Sequence, residues 1–490
     1  MPWLRAYRRW VLARQYRFTA QHLVPYFFDA LTAYALSLEA LGLPYAAEAA
    51  RALRLLREHP LPGFSGVVED VFFAIDLQLR EHWGEEVAGA VRRGLSRNDL
   101  DLTVFRAYAR DQGLRVAREL LRLRSQLLQM ASLHAETLMA AYTHHRPAQP
   151  TTLGHYLAGF ENLLARDQAR LWQAIQRVNR SPLGASSLAG APYPIDRDAL
   201  SRLLGFEGPV EQTYDAVSAG DWALELTQAM AGLAASLSRL SRDLLFWSER
   251  GALLLSEGLV QGSSIMPQKR NPVIFEHLRA LAAEVIGENT TLLLLNHNTP
   301  FGDANDHSTG VLEPLARACE RMRGCLELME SALKESSFDP HALARDLEDR
   351  NLLASELVDT LVRQGRPLAE ADGRVRALLR KLSETGRSLA QATPEELGSL
   401  GAPLDVLKSA LEPQTFLARR KVLGGAALEA QAQHLRWARR RLKEDRRSWL
   451  AKVRSIRRAE AYLRLTQRDS AAAQEVGQRS SDRPDSGSPG

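Results

Sequence analysis

The stretch VARELLRLRSQLLQMASLH, residues 116–134, decides the fold class. Its leucines recur three and four positions apart with Arg and Gln between them, which lays an apolar stripe along an α-helix and not along a strand. The same spacing runs through 155–178, 222–247, 273–295, 311–333 and 354–382. Helices this long, with apolar stripes and few breakers, belong in a bundle where they also pack against other subunits. Alternating strand patterns are scarce, and no repeat of solenoid period occurs. The expected fold is all-α.

Breakers divide the chain. PLPG at 60–63 ends a first helical part, and SPLGASSLAGAPYP at 181–194 is a loop of small residues. Residues 261–272 and 296–310 form two further loops between long helices. The expected organisation is an N-terminal helical domain over 1–100, a central helical bundle over 101–345 and a C-terminal helical domain over 346–469. From 470 to 490 the chain is mostly Ser, Gly, Asp, Arg and Pro, the composition of a disordered tail.

Composition excludes several classes. A chain of 490 residues, 45% of them hydrophobic, can bury a large core without disulfide or metal staples. Its two cysteines, Cys319 and Cys325, lie in a helical stretch with no ligand-like neighbours, so both are expected as reduced thiols in a reducing compartment, the cytoplasm. The start, MPWLRAYRRWVLARQ, carries charges where a signal peptide needs an apolar run. No run reaches the ~18 apolar residues of a membrane span. The net charge of +5 gathers around Arg436, Arg439, Arg440, Arg441, Arg446 and Arg447. Without a recognised binding module, that cluster reads as a solvated helix face and not as a nucleic-acid surface.

Three segments carry chemistry. GSSIMPQKRNP, residues 262–272, sets two serines after a glycine, then Lys269 and Asn271, with Pro272 opening a helix. Backbone N–H groups in such a loop and a helix N-terminus favour an anion; Lys269 adds a point charge and Asn271 an amide donor. The set suits a carboxylate, and a serine beside it can act as a base if the same field stabilises its alkoxide. Composition alone favours a plain inter-helix loop. YTHHRPAQP, residues 142–150, followed by TTLGHY, brings His144, His145 and His155 close together. Histidine relays protons near neutral pH, and no companion pattern argues for metal ligation. SRND at 96–99 offers Arg97 as a bidentate fork and otherwise reads as a helix cap.

Together these segments resemble the argininosuccinate lyase family of the fumarase/aspartase superfamily. GSSIMPQKRNP matches the superfamily's GSSxMPxKxNP at every fixed position; YTHHRPAQP resembles YTHLQRAQP, and LSRND resembles RSRND. Similarity spans about residues 25–440. The resemblance implies a three-domain fold with a central long-helix bundle, assembled as a homotetramer whose sites are each shared among three subunits. It implies Ser263 as catalytic base, with His144 handling protons beside Glu276. Substrate contacts would come from Ser96, Arg97, Asn98, Thr143, Gln149, Lys269 and Asn271. The implied chemistry is anti elimination of an amine from a succinyl adduct, releasing fumarate. It needs no cofactor, and the implied ligand is a small dicarboxylate.

The chain departs from the family on the amine side. Where the family carries a segment like YNRDxQEDK, this chain reads TPFGDANDHSTG at 299–310, with Asp306 as the expected match. EDxHxxIE reads EDVFFAID, so Phe72 replaces a histidine, and Leu95 replaces the arginine before SRND. The sequence therefore supports cleavage of argininosuccinate to arginine and fumarate, and equally a paralogue acting on a different succinyl-amino compound. A structural homologue without activity would be expected to lack Ser263 or His144, and both are present.

Overall fold

The structure, a computed structural model, describes residues 3–481, with side chains described through Leu463. The composition-based tail at 470–490 lies outside those side chains, and 482–490 lie outside the described residues altogether. Eleven longer helices serve as landmarks: α1 (Val24–Ala40), α2 (Ala46–Arg57), α3 (Val71–Trp83), α4 (Arg97–Leu133), α5 (Leu153–Val178), α6 (Asp221–Glu249), α7 (Val273–Asn296), α8 (Leu312–Lys334), α9 (Ala354–Arg363), α10 (Leu368–Glu384) and α11 (Leu428–Ser481). Three two-stranded sheets are the strand content of the described residues. No described helix is long and apolar enough to cross a membrane.

α4 to α8 form the bundle. α4 packs on α5 and α8, α6 on α5 and α7, and α7 on α8. α4 has 37 residues, about 55 Å of helix. From Leu102 to Arg110 every one of its residues is buried, so neighbours enclose it on all sides there. Its start is set by a capping box: the Ser96 hydroxyl accepts from the Asn98 N–H at 3.2 Å, and Asp99 accepts from the Ser96 N–H at 3.2 Å. One apolar cluster runs from Tyr16 to Leu343 and takes in Leu435, Ala438, Ile456 and Leu463 of α11. A second is confined to Leu353–Ala426. α11 thus leaves the second cluster and returns along α4.

The apolar period at 354–382 predicts one helix, and the structure breaks it in two between Arg363 and Leu368. Gly365 sits at φ 90° and Pro367 precedes the second helix. A left-handed residue followed by a proline cannot continue a helix, whatever the stripe on either side. Cys319 and Cys325 are both buried thiols, and burial pushes each up to about 12.

A charged pair sits in the middle of the apolar bundle. Arg124 and Glu161 are fully buried; Arg124 Nε donates to Glu161 Oε1 at 2.9 Å and its Nη1 to Asp445 Oδ2 at 2.7 Å. Arg441 Nη2 donates to the other Glu161 oxygen at 3.2 Å. This network pins α11 to α4 and α5. Removing one partner strands a buried charge, whereas replacing both with apolar groups does not. Glu161→Ala should therefore cost about 3–5 kcal/mol in urea unfolding, and Arg124→Met/Glu161→Leu much less. Equal losses would show that packing volume and not charge decides the site.

Candidate active site

The Ser96–Asn98 loop opens into a hollow of about 380 Å³ at the foot of α4. Asp99 fixes the loop's position. Its carboxylate is buried and accepts from the Gly184 and Ser186 N–H groups at 2.8 and 2.9 Å. Burial outweighs these donors and lifts Asp99 to about 6. The loop at 181–194 is thereby held against α4, and the Ser187 hydroxyl donates to Ser96 Oγ at 2.9 Å.

Carboxylates surround Arg97. Asp70 caps α3 with one oxygen, accepting from the Phe73 N–H at 2.9 Å, and its other oxygen receives Arg97 Nη1 at 2.5 Å. Glu69 lies 3.4 Å from the same nitrogen, and the guanidinium rests 5.0 Å from the Phe73 ring centre. Burial opposes the Arg97 charge, but Asp70, Glu69 and Asp101 more than offset it. Asn98 Nδ2 donates to Asp303 of the 299–310 loop. Glu69, Asp70, Asp101 and Asp303 all line the hollow, against the single cation Arg97. Burial, and next the charge of Asp70, push Asp101 well above the usual carboxylate range.

The sequence reading missed this acidic excess. Asp101 could have been found, since it lies one helical turn beyond Arg97 on the same face. Asp303 could not, because its contact with Asn98 spans 205 positions. The sequence reading selects Asp306 from this loop, whereas Asp303 and Asn305 are the residues that line the hollow.

The histidine segment is a hairpin. β1 (Leu138–Thr143) pairs antiparallel with β2 (Arg146–Thr152), and the Thr143–Arg146 pair leaves His144 and His145 as the two-residue turn. Both have positive φ, 51° and 59°. That is the geometry of a type I′ turn, which favours Asn-Gly and strains larger side chains. Tyr142 anchors the hairpin by donating to Asp346, which also receives Arg250 Nη2 at 2.7 Å. Thr143, His144 and Gln149 are exposed. His155 is structural: its ring nitrogens meet Thr151 Oγ1 at 2.8 Å and the Gly424 carbonyl at 2.9 Å. Among the described residues no group of His, Cys, Asp or Glu side chains is arranged to hold a metal ion.

The loop at 262–272 is also a small hairpin. After β3 (Leu253–Leu255), β4 (Gln261–Gly262) pairs with β5 (Arg270–Asn271), enclosing 263–269. Ser263 Oγ accepts from the N–H groups of Ile265 and Met266 at 3.4 and 3.2 Å. N–H donors aimed at a serine oxygen stabilise its alkoxide form. Lys269 is exposed, Asn271 and Pro272 lead into α7, and Glu276 lies exposed in that helix's first turn. Neither this loop nor the tip of the histidine hairpin lines the Arg97 hollow. Within one chain, then, Ser96, Arg97 and Asn98 are brought together, and the other two segments face solvent elsewhere.

Residues 68–287 match a family model described as Lyase. An argininosuccinate lyase of Arthrospira platensis is 36% identical over 76% of this chain and 81% of its own length. The chain belongs to the argininosuccinate lyase family. The argininosuccinate lyase of Methanosarcina mazei is 34% identical, over 78% of this chain and 79% of its own. Among solved structures, an EDDS lyase in complex with formate superposes with a TM-score of 0.85 at 26% identity, covering 92% of each chain. A class II fumarase of Schistosoma mansoni shares the fold, with a TM-score of 0.67 at 16% identity over 81% of this chain and 91% of its own. This member of the argininosuccinate lyase family is a carbon–nitrogen lyase.

The strained turn generates a test. His145→Gly relieves one positive-φ residue and should stabilise the protein by about 1 kcal/mol, read as a higher Tm. A lower Tm would mean that the His145 side chain contributes more than its backbone costs.

Proposed function

We propose that this enzyme splits argininosuccinate into arginine and fumarate, at sites each assembled from three subunits of a cytoplasmic homotetramer. The observation that carries the reading is the Arg97 hollow: one guanidinium fit for a carboxylate, set among four carboxylates fit for a cation. Argininosuccinate offers both charges, carboxylates on the succinyl half and a guanidinium on the other.

In this reading Ser263 removes the proton next to a carboxylate. The two N–H groups directed at its oxygen favour the ionised base. The carbon acid is far too weak to ionise in water, so fixed donors must hold the second negative charge that develops. Lys269, Asn271 and Arg97 are those donors. Ser96, Asn98, Thr143 and Gln149 position the substrate. His144, oriented by Glu276, protonates the departing amine. The chemistry calls for no cofactor and no metal.

Two features support assembly. The three segments lie apart in one chain and two of them face solvent. α7 also presents Ala280, Ala283, Ile286, Gly287, Leu293 and Leu294 outward, a face suited to close helix packing.

A second reading has its own observation. The 299–310 loop lacks the family's usual amine-side residues, and the EDDS lyase structures cover 92% of this chain. A paralogue releasing fumarate from another succinyl-amino compound would fit both. The purified enzyme should be given argininosuccinate, adenylosuccinate and a panel of N-succinyl amino acids, with fumarate followed by absorbance. Release from argininosuccinate alone is expected, and release only from another adduct would replace the substrate assigned here. Ser263→Ala should lower kcat by about a thousandfold or more with an unchanged fold. Retained turnover would remove Ser263 as the base.

A further inference from the structure

Between α4 and the returning α11 lie two hollows of about 420 Å³ each, on either side of Trp449 and separate from the site above. One is lined by Arg118, Arg122, Arg439, Lys443 and Arg446, and no carboxylate lines it. A buried carboxylate holds two of these arginines. Glu119, with its side chain 1% exposed, receives Arg118 Nε at 2.8 Å and Arg122 Nη1 at 2.9 Å. Arg118 also gives its Nη2 to Glu119, at 2.5 Å, and the two arginines remain 43% and 58% exposed, which leaves further N–H groups of Arg122 to donate outward. Arg439 is held by a bond to Ser132 Oγ. Lys443 and Arg446 form no ion pair among the described residues.

Five cations over one buried carboxylate repel one another, and a bound polyanion would relieve that repulsion. Arginines oriented from behind are preorganised for phosphate oxygens. The rest of the wall is Leu121, Ser125, Leu442 and Trp449, whose indole is fixed by donating to the Leu114 carbonyl at 2.9 Å. A rigid aromatic beside clustered cations suits a planar base next to a phosphate chain. The hollow's size falls within the range of small-molecule sites. We propose that this hollow binds a nucleoside polyphosphate, its phosphates on Arg122, Lys443 and Arg446 and its base against Trp449.

Calorimetric titration of the full-length protein with ATP tests this. Saturable binding is expected, weakened about tenfold or more in Lys443→Glu/Arg446→Glu. Arg122→Gln, a milder change, should weaken it in the same direction. Tripolyphosphate should bind clearly less tightly than ATP, since it lacks the base. The proposal is overturned if ATP does not bind, if these variants bind it unchanged, or if tripolyphosphate binds equally well. Binding of a single-stranded oligonucleotide without binding of ATP would also overturn it, in favour of a nucleic-acid surface.

Discussion

The buried Asp99 carboxylate, receiving N–H groups from Gly184 and Ser186, ties the first turn of α4 to the 181–194 loop. That tie fixes the turn from which Arg97 and Asn98 enter the hollow. Asp99 also accepts from the Ser96 N–H and so holds the cap that aims Arg97 and Asn98 outward. Burial raises this carboxylate to about 6 against the pull of its own donors. Ser96 caps the longest helix of the bundle and Arg97 and Asn98 form its first turn, a rigid base for substrate recognition.

The same economy of charge appears across the molecule. Buried charges are met by an opposite charge, as in Arg124 with Glu161, or by backbone groups, as in Asp99. Where charges are left in excess, they mark a hollow, acidic at Arg97 and basic beside Trp449. In the proposed reaction the acidic excess would face the leaving amine, because carboxylates stabilise a cationic group. Of the donors proposed for the succinyl half, Lys269 and Asn271 stand outside this hollow, and Arg97 stands within it, paired with Asp70.

Much of the fold is legible in the sequence. The apolar stripe at 273–295 becomes α7 at Val273–Asn296, and the stripe at 311–333 becomes α8 at Leu312–Lys334. A stripe reports which face is buried, and in long helices it survives local noise. It fails where backbone geometry overrides it, as at Gly365 and Pro367. The hairpin around His144 was not legible, because Pro147 and Pro150 obscure any alternation and its turn lacks Asn-Gly. The three site segments were legible as motifs. Their surroundings were not: Asp303 reaches Asn98 only through folding, and no local pattern marks it.

In the proposed assembly no single chain holds a complete site. Ser263→Ala and Arg97→Ala proteins, each inactive alone, can be mixed, dissociated and reassembled, and fumarate release then measured. If the sites are shared among subunits, some sites in the mixed assemblies receive both intact residues, and activity reappears. If activity stays at the level of the separate variants while mixed assemblies demonstrably form, each chain carries its own site and the account is wrong.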